Sequence, residues 1–184
     1  MKKWINEFLF LFLKLFGSGF SNRRFSPKTL LQAVFFQKIL RINQHVPWPV
    51  HRTSVVVAPH KIERGTRCPG LSMGCYLDGR NGIIFGKNVW MGPRVSVISM
   101  NHDLYDYEKY IAAEPIVIGD NCWLATGCII LPGVRLGNHV IVAAGAVVTQ
   151  SFEEDNIVLG GVPAKIIKRI GPYSGSEGRH EENF

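Results

Sequence analysis

The sequence predicts an all-β fold, a parallel β-helix built from hexapeptide repeats, with a helical segment in front of it. Large apolar residues recur every six positions at Ile118, Leu124, Ile130, Leu136, Val142 and Val148, without a miss. Two residues before each stands another apolar one: Ile116, Cys122, Cys128, Val134, Val140 and Ala146. Glycine or alanine follows at Gly119, Ala125, Gly137 and Ala143. An amphipathic α-helix cannot hold a six-residue period, because 3.6 residues per turn rotate the stripe away. Short extended segments joined by tight turns can, and a hexad repeat is the signature of a parallel β-helix. The same phase appears earlier, with Phe85, Met91 and Val97 in the large position and Val89 and Val95 before the last two.

Along the 184 residues the first segment, 1–52, is a hydrophobic leader and a helix. The longest apolar run of the leader, Phe8 to Leu13, stops at Lys14, far short of the ~18–20 residues that span a bilayer. No small-residue cleavage site follows it, so a secretory signal is not expected. Residues 26–43 read as a helix, with Ser26 as N-cap, Pro27 in the first turn, and Leu30, Leu31, Val34, Phe35 and Ile39 at helical spacing. Pro47, Pro49 and Pro59 then break any helix. Residues 53–160 carry the β-helix, and the polar stretch 171–184 reads as a mobile tail.

Apolar residues make up 46% and charged ones 19%, which excludes a disordered or fibrous chain. Four cysteines without paired CxxC spacing argue against a disulfide scaffold and a zinc site. They point to a reducing, cytoplasmic address, with the inner face of a membrane as the alternative if the leader touches lipid. The +7 charge comes without a recognition motif, so nucleic acid is not an expected partner. It suits an anionic small ligand or a membrane surface, and residues 4–20 are the candidate for peripheral membrane contact.

Three hexads make one turn of the coil, so residues 18 apart stack. The outward positions are Val117, Trp123, Ile129, Arg135, Ile141 and Val147. Trp123 then stacks on Ile141 and Ile129 on Val147, leaving two faces apolar outside. Water rarely covers such stripes. Two different sticky faces make a heterologous contact that closes into a ring, here a homotrimer.

The phase also exposes a site. Continuing by sixes from Val97 reaches 115, yet the next run is in register with Ile118. That slip of three expels residues 99–115 as an excursion loop. Such an excursion from a rigid scaffold is where functional residues sit. It contains His102, flanked by Asn101 and Asp103. His45 and His51 lie in the connector, His60 near the first coil, His139 in a turn and His180 in the tail. Those five are weaker candidates.

The repeat, with Asn101-His102-Asp103, Asn121-Cys122-Trp123-Leu124 and Gly161-Val162-Pro163-Ala164-Lys165, resembles the hexapeptide-repeat acyltransferases. The likeness is greatest to O-acetyltransferases of sugars and polysaccharides, relatives of galactoside and maltose acetyltransferases. The resemblance implies a left-handed coil and acetyl-CoA as co-substrate, with no metal. It implies His102 as general base in direct transfer, and a backbone amide near Ala125 to Gly127 holding the oxyanion. It places the cofactor along Trp123, Ala125, Thr126, Ala143, Ala144 and Thr149. Pro163, Lys165 and Lys168 then belong to a cofactor loop and short C-terminal helix over 161–170. Gln150 departs from the family, where lysine is frequent. A glycan or small-molecule acceptor is expected near Asp78, Arg80, Asn81, Asn101 and Asp103, with Asp103 or a backbone carbonyl orienting the imidazole.

Three other readings use the same scaffold. A nucleotide-sugar N-acetyltransferase would take an amine. A γ-class carbonic anhydrase would need three converging histidines. A non-catalytic β-helix would serve as an interaction module.

Overall fold

The computed structural model describes residues 2–175, with the side chains of Lys2 and Lys3 left out; the remainder of the tail, including His180, lies outside the described residues. The hexads fold as short strands that wind a three-sided parallel coil. The first face stacks Val55–Val57, Tyr76–Asp78, Ser96–Ile98, Ile129–Ile130 and Val147–Val148. The second stacks Ile62–Glu63, Ile83–Phe85, Ile116–Ile118 and Arg135–Leu136. The third stacks Trp90–Met91, Trp123–Leu124, Ile141–Val142 and Ile157–Gly161.

The register is the one the period predicts. Trp123 pairs with Ile141, Ile129 with Val147 and Val117 with Arg135. Every large hexad residue from Ile118 to Val148 is buried, as is the apolar residue two before it. The interior is therefore one apolar column, mostly Val, Ile, Leu and Cys with Phe85 and Ala146 among them. Burial pushes the Cys68 thiol up to about 11 and those of Cys122 and Cys128 up to about 12. All four cysteines are buried and free, so none is a ready nucleophile.

At the turn from the second face to the third, successive coils touch backbone to backbone. Gly119 shows why the sequence needs glycine there, since a Cβ would lie 2.4 Å from Gly137 O. Asp120, Asn138 and Asp155 brace this corner. Asp155 Oδ1 accepts from Asn138 N, Asn138 Oδ1 from Asp120 N, and Asp120 Oδ1 from Lys87 N.

The N-terminal segment forms helix α1 (Lys2–Leu13), two tight turns, and helix α2 (Pro27–Val34), which continues as a wider turn over Phe35–Ile39. Ser26 Oγ caps α2 by accepting from Thr29 N at 3.2 Å, as its sequence position predicts. The helix does not reach residue 43. Arg41 and Asn43 have positive φ, and the buried Gln37 side chain ties the segment to the strap that follows. Gln37 Oε1 accepts from Val50 N, and its amide faces Val46 O and Trp48 O. Phe10, Leu13, Phe20, Leu30, Ala33 and Val34 make a small core of their own, with Phe25 packed against both this core and the coil.

The C-terminal end corrects a second expectation. Residues 161–170 hold no helix: Ile157–Gly161 and Ala164–Arg169 form an antiparallel hairpin. Its turn contains the Val162–Pro163 cis peptide bond. Alternating burial, not helical spacing, is what Ala164-Lys165-Ile166 encodes. The first residues of the tail are also placed: Tyr173 sets its hydroxyl 3.0 Å from Asn88 Nδ2 and its ring 5.2 Å from His139.

Replacing Gly119 with alanine is expected to destabilise the coil by about 2 kcal/mol or more, because the obstructing atoms are backbone and cannot turn aside. A denaturant midpoint equal to that of the parent protein would show that the stacked turns are not in contact.

Candidate active site

The excursion leaves the first face after Ile98 and returns to the second at Ile116. It closes on itself as an antiparallel hairpin in which Asn101 pairs with Ile111 and His102 with Tyr110. Local hydrogen bonds explain the shape. Asp103 Oδ1 accepts from Tyr105 N at 2.8 Å and Asp106 N at 3.0 Å, which tightens the tip. Asn81 fastens the base: its Nδ2 donates to Ser99 O at 2.9 Å and Ile111 O at 3.1 Å.

His102 is exposed on this hairpin, and its Nδ1 meets the carbonyl oxygen of Tyr107. A carbonyl only accepts, so Nδ1 carries the proton in the neutral ring and Nε2 carries the lone pair. Of the two orienting partners expected for the imidazole, the backbone carbonyl is the one present. Asp103 is occupied by the turn.

Behind His102 stands a stack that composition did not reveal. The imidazole lies 4.7 Å from the Tyr110 ring, and the Arg80 guanidinium lies 4.5 Å from the centre of that same ring. Arg80 is gripped through two nitrogens by Asp78, with Nη2 to Oδ2 at 2.7 Å and Nε to Oδ1 at 3.0 Å. Those bonds raise the guanidinium pKa further. Asp78 is only 1% exposed. Both of its carboxylate oxygens are engaged by Arg80, so in this structure it anchors that side chain. Asn81 likewise spends its amide hydrogens on the hairpin. Arg80, Asn101 and Asp103, the last of which uses only Oδ1 in the turn, are the acceptor candidates beside His102.

The expected cofactor positions fall elsewhere. Ala125–Cys128 and Ala143–Ala146 are stacked turns between the third face and the first, each closed by a bond from the fourth residue's N–H to the first residue's carbonyl. Ala125 N donates to Val142 O, Ala143 N to Leu159 O and Gly127 N to Pro93 O. Thr126 and Ala144, the second residues of these turns, are exposed, and the amides of Ala125 and Gly127 are already spent on the bonds above. Thr126 is thus the member of the Ala125–Gly127 trio whose N–H suits an anionic oxygen. Trp123 projects from the third face, half exposed, between Trp90 and Ile141. Pro163, Lys165 and Lys168 are exposed on the terminal hairpin.

One chain does not bring these groups together. Thr126 and Ala144 precede the strands of the first face, while the His102 hairpin leaves from their other end, the end where Thr149 follows Val148. Among the described residues no group of three or more His, Cys, Asp and Glu could hold a metal ion.

Residues 115–150 match the family model described as bacterial transferase hexapeptide, six repeats. A hexapeptide-repeat acetyltransferase from Vibrio cholerae O1 biovar eltor, solved with acetyl-CoA, aligns with a TM-score of 0.52 and 30% identity, over 65% of this chain and 69% of that one. This chain belongs to the hexapeptide-repeat transferase family. The galactoside O-acetyltransferases of Lactococcus lactis and Escherichia coli are 35% and 32% identical to it, each over 48% of this chain and 44% of their own. The chain spans about half the length of the curated relatives it matches. A Bacillus cereus N-acyltransferase shares the fold, with a TM-score of 0.56 at 18% identity over 67% of this chain and 81% of that one.

In this hexapeptide-repeat transferase, Tyr107 and Tyr110 are the site residues that sequence reasoning missed. The signal was available. Reading 101–111 as a hairpin with the Asp103 turn at its tip puts position 110 opposite 102.

The nitrogen shifts of His102 at neutral pH are expected to report the Nδ1–H tautomer. A spectrum showing the proton on Nε2 would break the link to Tyr107 and remove the proposed lone pair.

Proposed function

We propose that this chain is an acetyl-CoA-dependent O-acetyltransferase that moves an acetyl group to a hydroxyl of a sugar or polysaccharide precursor. The observation that carries the reading is His102, held outside a rigid coil with Nδ1 tied to Tyr107 O and Nε2 left as a base. Family membership and the likeness to galactoside O-acetyltransferases support the reaction class and the kind of acceptor.

His102 Nε2 takes the acceptor's hydroxyl proton while the oxygen attacks the thioester carbonyl carbon. The carbonyl oxygen gains charge and meets the Thr126 N–H, a backbone donor of the coil. The C–S bond then breaks, and the imidazolium returns its proton to the departing thiolate. No enzyme nucleophile is needed, which suits the buried, protonated cysteines.

The pantetheine arm runs along the Thr126 and Ala144 turns, where Ala125 and Ala143 permit close approach. Trp123 walls the groove. Thr149, Pro163, Lys165 and Lys168 serve the nucleotide end, the lysines through its phosphates. The coil is read as left-handed, as in the family. Because His102 and the Thr126 edge lie at opposite ends of the first face, the site is completed between two copies. A homotrimer with the Trp123/Ile141 stripe in its contacts supplies that arrangement.

His102→Ala should keep the coil and still bind acetyl-CoA by calorimetry. Its turnover should fall roughly 10²- to 10⁴-fold, the usual worth of a positioned general base. A folded variant with near-parental turnover on a glycoside acceptor would remove His102 from the chemistry.

A further inference from the structure

We propose that the N-terminal helical segment is a membrane-surface anchor that inserts one face of α1 into an anionic lipid bilayer. Helix α1 has apolar residues on two faces. One, through Phe10 and Leu13, is buried against α2. The other carries Trp4, Ile5, Phe8, Leu11 and Phe12, continued by Leu15, and all six are exposed; Trp4 is 84%, Phe8 68% and Leu15 79% accessible. Positions 4, 8, 11 and 15 recur at helical spacing, with 5 and 12 beside them, so these side chains form one stripe without a charge in it. A tryptophan, two phenylalanines, two leucines and an isoleucine on one strip is the composition of a helix that lies in the headgroup boundary.

Charge identifies the partner. Residues 1–42 hold eight lysines and arginines, Lys2, Lys3, Lys14, Arg23, Arg24, Lys28, Lys38 and Arg41, against one acid, Glu7. Residues 43–184 hold thirteen of each sign. The whole +7 of the chain therefore resides in the segment that carries the apolar strip. Glu7, the single acid, is paired with Arg23 at 2.6 Å. A segment that joins an exposed apolar strip to a large excess of basic residues complements anionic headgroups over acyl chains. A protein partner of neutral surface would leave that charge uncompensated. No helix among the described residues is long and apolar enough to cross a membrane, so the contact is with one leaflet. It holds whatever the acceptor of the acetyl group is.

The test is co-sedimentation of the full chain with vesicles of phosphatidylcholine and phosphatidylglycerol in equal parts, against phosphatidylcholine alone. Binding is expected to the anionic vesicles, to weaken with salt as charge contacts are screened, and to fall roughly tenfold or more in a Trp4→Ser/Phe8→Ser/Leu11→Ser variant. Those three side chains are exposed, so circular dichroism and acetyl transfer to a soluble acceptor should be unchanged. A Lys14→Glu/Lys28→Glu variant should lose the preference for anionic vesicles. Equal binding by parent and serine variant would overturn the proposal. So would absence of vesicle binding, with or without a change of oligomeric state in light scattering; a changed oligomeric state would assign the strip to a second copy.

Discussion

Everything in this protein hangs on equivalent residues of successive turns lying directly over one another, 18 apart in the central coils. The coil exists because each strand's amides reach the carbonyls one turn away, as Trp123 N does to Val140 O and Ala125 N to Val142 O. That stacking leaves room inside only for a column of branched or sulfur-bearing side chains. It leaves room at one corner only for glycine. It also makes any insertion visible, because residues that do not fit the count must leave the coil. The catalytic candidate is on the one long excursion that the count expels, and the coil supplies the rigidity that an exposed histidine lacks on its own.

Rigidity reaches His102 by two routes. The Tyr107 carbonyl fixes which nitrogen bears the proton. The Asp78–Arg80–Tyr110 stack holds the ring from behind, beginning at a buried carboxylate in the coil and ending at an imidazole in solvent. The proposed acetyl-donor side is built differently, from stacked turns at Thr126 and Ala144. Small side chains there keep the edge open, and nothing in it needs to ionise.

The repeat was legible from the sequence because burial alternates with one period from Ile116 to Val148, so those positions needed no structural knowledge. The excursion was legible as an interruption of that period. The helix expected over 161–170 was not right, since two strands pairing antiparallel across Val162–Pro163 depend on a neighbour that local spacing does not contain. Residues 40–43 left the helix for a similar reason: Gln37 binds the strap over Val46–Val50, a contact nine to thirteen residues away. Asp78 looked like an acceptor ligand because sequence shows its charge but not its burial. Tyr110 becomes the neighbour of His102 only once residues 101–111 are read as a hairpin.

The central claim is that the base and the acetyl-donor edge meet from two copies of the chain. Two variants separate them: His102→Ala removes the base, and Ala144→Glu blocks the edge with a charged side chain at an exposed position. Each is expected to be inactive alone. Unfolding and refolding them together should restore acetyl transfer, because the intact histidine of one chain then faces the intact edge of another. Hybrids with no more activity than the separate variants would contradict a shared site.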